Sequence, residues 1–168
     1  MANIHLLLQG KGGVGKTFAA AMLAQFKSNK GEPTMNIDTD PVNSTFHGFR
    51  ALDVTRIDLM EGDEINTRRF DNFVELVATA TTDVIVDNGA SSFVPMSHYL
   101  ISNQVPSLFA DMGHQTIVHT VVTGGQALMD TVNGFQQLAG QFPHEAAFIV
   151  WLNPYWDRSS TRAKGSNR

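Results

Sequence analysis

The sequence predicts an α/β protein, with a mostly parallel twisted sheet carrying helices on both faces. Three observations lead there. Short apolar runs of strand character alternate along the chain with segments of helical period. A glycine-rich loop, Gly10 to Thr17, joins the first such run to the first helical segment. The length, 168 residues with 42% hydrophobic and 17% charged, suits one folded domain and leaves no room for two well-packed ones.

The elements follow in order. Ile4 to Leu8 is an apolar run that stops at Gly10, as a buried strand does. From Lys16 to Asn29, Phe18, Met22 and Phe26 recur every fourth residue with Ala19 and Leu23 alongside. This predicts an amphipathic helix with those residues on its buried face, ended by Gly31. Thr34 to Ile37 is the next strand, Asp38 to Gly48 a polar loop, and Leu52 to Ile57 an edge strand. Phe70, Phe73, Val74 and Val77 are spaced i, i+3, i+4, i+7, which predicts a helix over Thr67 to Ala80. Val84 to Val86 is a third buried strand, closed by Asp87-Asn88-Gly89. Phe93 to Asn103 is helical and Pro106 breaks it. Ile117 to Val122, Ala127 to Gln141 and Ala146 to Leu152 complete the alternation as strand, helix and strand. No apolar stretch is long enough to predict a membrane span.

Charge is uneven. The formal net charge is -4, so nothing global points to nucleic acid. After Asp157, however, Arg158, Arg162, Lys164 and Arg168 meet no acidic residue. Residues 1–156 are therefore expected to form the domain and 157–168 a basic disordered tail, with at most weak direct binding to DNA. The absence of cysteine excludes disulfides and thiolate metal sites and agrees with a reducing, cytoplasmic setting.

Gly10-Lys11-Gly12-Gly13-Val14-Gly15-Lys16-Thr17 satisfies G-x-x-x-x-G-K-[ST]. Glycines let the backbone curl so that successive N–H groups converge on an anion at a helix N-terminus, where the amide of Phe18 joins them. Lys16 adds a mobile charge for the β- and γ-phosphates, and the Thr17 hydroxyl can ligate Mg²⁺. Strand, loop and amphipathic helix in succession are the context this motif requires. The expected architecture is thus the P-loop NTPase sheet, a Rossmann-like three-layer sandwich.

Acidic residues stand at the ends of two strands. Asp38-Thr39-Asp40-Pro41 follows the second, and Asp83-Val84-Ile85-Val86-Asp87 has the form of a Walker B strand ending in an acid. Ligands of parallel sheets bind at the carboxyl ends of the strands, beside the phosphate loop. Asp87 is the expected Mg²⁺ partner through water. Asn153-Pro154 ends the last strand, where a side-chain amide can pair with a purine edge or simply form a turn.

Lys11 makes the loop a deviant Walker A form, and here the sequence resembles the ParA/MinD family of ATPases. That resemblance implies ATP and Mg²⁺ as ligands and an ATP-dependent homodimer in which Lys11 reaches the partner's nucleotide. It implies that Asp40 orients or activates the attacking water and that Asp38 supports the metal shell. It also implies that Gly89 offers its amide to the γ-phosphate and that Asn153 meets the base.

A narrower likeness is carried by Ile37-Asp-Thr-Asp-Pro-Val-Asn, Met60-Glu-Gly-Asp-Glu-Ile-Asn, Asp87-Asn-Gly-Ala-Ser-Ser-Phe-Val-Pro, Val121-Val-Thr-Gly-Gly-Gln and Val150-Trp-Leu-Asn-Pro-Tyr. These look like the TraL-type conjugal transfer proteins of plasmids, over about Met1 to Trp156. The likeness implies a nucleotide-driven switch in or near a conjugative transfer apparatus, or in plasmid maintenance. Such proteins continue with further strands and helices, so the fold is expected to be C-terminally shortened. The part beyond Trp156 would finish the sheet, enclose the base and strengthen the dimer. Two rival readings stay open at this point, a non-catalytic nucleotide-binding scaffold and an ATP-dependent kinase or ligase of the dethiobiotin-synthetase type. The latter leaves Lys11 unexplained.

The six histidines do not form a metal set. His114 and His119 would face opposite sides of a strand, and His5 is expected to pack in the first strand. Met22 and Met129 are expected in the core, and Glu61 to Glu64 in an acidic surface loop.

Overall fold

A computed structural model describes residues 1–156. The basic segment expected to be a tail lies outside the described residues.

Six parallel strands form the main sheet. They are β1 (Asn3–Leu7), β2 (Thr34–Asp38), β3 (Val54–Arg56), β6 (Asp83–Asp87), β7 (Gln115–Thr123) and β8 (Ala147–Asn153). Their spatial order is β3-β2-β6-β1-β7-β8, which puts β1 and its loop near the centre. Register is set by pairs such as Leu6 with Val86 and with Val118. The β1 residues Ile4 and Leu6 face one side, and His5 and Leu7 the other, as the period of two requires. Helices α2 (Thr67–Ala78), α3 (Phe93–Ser102), α4 (Val105–Asp111) and α5 (Leu128–Gln141) contribute to the first side through Phe70, Phe73, Met96, Leu100, Phe109 and Leu138. Helix α1 (Lys16–Asn29) packs on the second, with Phe46 and Val54. The three-layer α/β sandwich is the predicted class.

Four local expectations are corrected. The buried face of α1 is not the aromatic one. Ala19, Ala20, Ala21 and Ala24 are buried, whereas Phe18, Met22 and Phe26 are 69%, 47% and 55% exposed. Small side chains let α1 lie close to the sheet, and the larger set is left outward. Met129 is also exposed, on the outer side of α5. Pro106 does more than end α3, since it stands in the first turn of the additional helix α4. Within the expected acidic loop, β4 (Met60–Glu61) and β5 (Glu64–Ile65) form a small antiparallel hairpin that turns at Gly62.

His5 does pack within β1, against His119 of β7. Trp151 Nε1 donates to His119 Nδ1 at 2.9 Å, so His119 carries its proton on Nε2 and donates it to His5 Nδ1, also at 2.9 Å. Among the described residues, no helix is long and apolar enough to cross a membrane.

Candidate nucleotide site

The loop between β1 and α1 begins where Leu8 N–H donates to His119 O, the last sheet-like bond of β1. Beyond it the chain must reverse tightly enough to start a helix at Lys16. Gly13 and Gly15 take φ of 73° and 108°, values that disfavour any residue with a Cβ. Gly15 is the N-cap of α1, no side chain caps that end, and its first turn holds no acid. The opening amides of a helix have no intrahelical partner, so this N-terminus is left positive and without a side-chain cap.

The uncapped end opens into a cavity of about 570 Å³, lined by Gly12, Lys16, Thr17, Asp40, Asn88 and Ser91 among others. Lys16 is buried, and its Nζ donates to Lys11 O at 3.2 Å, which curls the loop about the charge. Burial pushes its ammonium below the ordinary lysine range, against the attraction of Asp87 and Asp40. Thr17 Oγ1 donates to Asp87 Oδ2 at 2.6 Å. Asp87 is buried, and its other oxygen, Oδ1, has no hydrogen-bond donor. Burial raises the Asp87 carboxyl to about 7, opposed by the Thr17 hydrogen bond and reinforced by the charge of Asp38.

The second and third acidic positions behave differently. Asp38 is fully buried. Its Oδ1 accepts from Asp40 N at 3.0 Å and its Oδ2 from His47 N at 2.9 Å, so it shapes the loop that carries Asp40. Asp40 lines the cavity, and its Oδ1 accepts from Val42 N and Asn43 N. Gly89 abuts it, and a Cβ there would lie 2.6 Å from the Asp40 carboxylate. The ends of β2 and β6 thus meet over the phosphate loop.

Asn153 is near the loop but already engaged. Its Nδ2 donates to Val14 O at 2.9 Å and its Oδ1 accepts from Tyr155 N at 3.1 Å. The Phe18 side chain is exposed and does not line this cavity, which leaves its backbone as the part expected at the phosphates. Lys11 lies on the far side of the loop, its Nζ 2.9 Å from Asp130 Oδ2.

Sequence reasoning missed Asn88, Asn43 and Ser91 on the cavity wall. All three lie just after the ends of β2 and β6, where polar residues at strand ends are a usable signal. It also missed Gln9. This residue is buried, with Nε2 donating to Thr120 Oγ1, Val121 O and Thr131 O.

Comparison with known proteins agrees with this geometry. The family model for the CobQ/CobB/MinD/ParA nucleotide binding domain matches residues 6–156. Protein TraL of Escherichia coli is 65% identical over 165 residues, 98% of this chain and 68% of the relative. A second Protein TraL of Escherichia coli is 66% identical over 156 residues, 93% of this chain and 65% of the relative. The chain therefore spans about two thirds of the length of these relatives. The ATPase GET3B of Arabidopsis thaliana is 49% identical over 51 residues, 30% of this chain and 12% of that protein. With a matching domain and a phosphate-loop fold, the chain belongs to the CobQ/CobB/MinD/ParA nucleotide-binding family and, within it, to the TraL-type proteins.

Proposed function

We propose that this protein is an ATP-binding P-loop ATPase that works as a nucleotide-dependent dimer switch in conjugative plasmid transfer or plasmid maintenance. The observation that carries the reading is the uncapped N-terminus of α1, opening with buried Lys16 into a cavity large enough for a triphosphate. A buried cation beside an uncapped helix N-terminus on one cavity suits an anion, and the family match favours a nucleotide as that anion.

The chain's residues fit a magnesium ion. Asp87 Oδ1 is buried and lacks a donor, beside a Thr17 hydroxyl, and hard oxygen donors of this kind suit Mg²⁺. Thr17 and Asp87 would hold the ion, with Asp38 in support through the loop that it braces. When bound, Mg²⁺ supplies charge neutralisation for the phosphates.

The remaining work falls to the protein. Lys16 and the loop amides bind and orient the phosphates. Asp40, fixed by the amides of Val42 and Asn43, orients a water at the cavity wall. Gly89, whose missing side chain leaves room for the Asp40 carboxylate, offers its amide to the terminal phosphate. Lys11 of one protomer serves the nucleotide of the other.

Calorimetry with ATP and ADP, and hydrolysis measured against protein concentration, test the reading. Saturable MgATP binding with specific activity that rises with concentration is the expected result. Failure to bind either nucleotide would overturn it.

A further inference from the structure

Helix α5 holds Lys11 at two points. Its Nζ lies 2.9 Å from Asp130 Oδ2, in the first turn of α5. Its backbone N–H donates to Gln9 Oε1 at 3.4 Å, and the Gln9 amide is anchored in turn on Thr131 O of α5 at 3.1 Å. The lysine lines a second cavity of about 590 Å³, with Gly124, Gln126 and Trp156, on the side of the loop away from Asp40 and Asn88.

We propose that Asp130 is a positioning residue that parks Lys11 in cis, and that opening this pair is a step in nucleotide-dependent self-association. The proposal rests on the dimer reading above. Reaching out of its own protomer to a second protomer's nucleotide would draw the ammonium away from Asp130, 2.9 Å off in the parked position, so the first contact competes with the second. Asp130 also stands in the first turn of α5, where the helix dipole favours its negative charge whether or not Lys11 is there, so the parking is reversible.

The effect is modest by construction. The two side chains are 46% and 57% exposed. A pair in that setting shifts an equilibrium by roughly one-and-a-half- to fivefold, and a dimer opens two of them, so association changes by roughly two- to twenty-fivefold.

Sedimentation of the full chain with MgATP or a non-hydrolysed analogue tests this, using wild type, Asp130→Asn, Asp130→Glu and Lys11→Ala. Asp130→Asn is expected to associate at a concentration lower by roughly two- to twenty-fivefold. Its melting temperature should fall by no more than a few degrees, and its nucleotide affinity as a monomer should be unchanged. Asp130→Glu, which keeps the charge, should return toward wild type, and adding Lys11→Ala should abolish the gain. Wild type that associates while Asp130→Asn is unchanged or weaker overturns the parking role alone. If both bind MgATP and neither associates, the dimer reading falls with it.

Discussion

Thr17 Oγ1 lies 2.6 Å from Asp87 Oδ2, while Asp87 Oδ1 is buried with no donor. One oxygen of the carboxylate is therefore satisfied and the other is not. An unsatisfied buried charge is costly, and the rise of this carboxyl to about 7 expresses that cost. A divalent cation would relieve it, so metal and nucleotide affinity should be linked through this residue. In Asp87→Asn, magnesium is expected to give little of the ATP affinity that it gives wild type, a loss of roughly tenfold or more. Metal-free ADP should bind about as before. Calorimetry with and without Mg²⁺ checks this, and an undiminished magnesium effect would remove Asp87 from the metal site.

Lys16 and Asp40 line one cavity but should fail in different ways. Lys16 supplies buried charge to the phosphates, so Lys16→Ala is expected to lose about a hundredfold or more in MgATP affinity. Asp40→Ala should keep binding and lose turnover, by about a hundredfold if the carboxylate activates water. Binding and single-turnover assays on the two variants separate these roles. Tight MgATP binding by Lys16→Ala would refute the phosphate assignment, and normal turnover by Asp40→Ala would leave that residue without a chemical part.

Helix α1 shows where sequence reading stops. The spacing of Phe18, Met22 and Phe26 correctly marks one face of a helix, but periodicity does not say which face is buried. The alanines opposite carry little hydrophobic contrast, yet they permit close approach to the sheet and are the residues that pack. The phosphate loop was legible because its chemistry needs fixed residue types at fixed spacing within eight positions. The partnership of Lys11 with Asp130 spans 119 residues and leaves no local trace. Helix α4 was hidden because a proline that stops one helix is equally suited to start the next. The face of α1 has a measurable consequence. Met22→Gln and Phe26→Gln are expected to change unfolding free energy by about 0.5 kcal/mol or less, whereas Ala20→Leu should cost about 1–3 kcal/mol by overpacking. Denaturant titrations decide it, and a Phe26→Gln loss as large as that of Ala20→Leu would contradict the outward stripe.

The two buried histidines give a pH dependence with a definite sign. Burial lowers both His5 and His119 to about 4, with Asp83 pulling His5 upward, Lys27 pushing it downward, and His5 lowering His119. The folded values lie below the unfolded value of 6.5, so the unfolded chain binds more protons between about 4 and 6.5. Stability from these rings is complete above pH 6.5 and declines as pH falls through that window, by up to about 1.4 kcal/mol per unit for each ring. Asp87 acts oppositely. Its folded value of about 7 exceeds the unfolded 3.8, so acid relieves it over an overlapping range. The histidine effect should therefore be read in an Asp87→Asn background, as a fall in denaturation midpoint from pH 7 to pH 5. Ring proton resonances of His5 and His119 should meanwhile stay flat above about pH 5. Titration of either near 6.5 would contradict their buried neutral state.

Gly134 stands in the middle of α5, where glycine costs about 1 kcal/mol relative to alanine. Its use lies across the interface, since a Cβ there would sit 2.6 Å from Gln9 Oε1. Gln9 cannot easily yield, because its Nε2 holds β7 and α5 through Thr120, Val121 and Thr131. In wild type, Gly134→Ala gains helix propensity but disturbs buried hydrogen bonds worth about 1 kcal/mol each, so a net loss of about 1–2 kcal/mol is expected. In a Gln9→Ala background the obstruction is gone, and the same substitution should become stabilising by about 1 kcal/mol. This reversal of sign in a double-mutant cycle is specific to the contact, because independent sites would add. Equal effects of Gly134→Ala in both backgrounds would show that α5 does not bear on the start of the phosphate loop through Gln9.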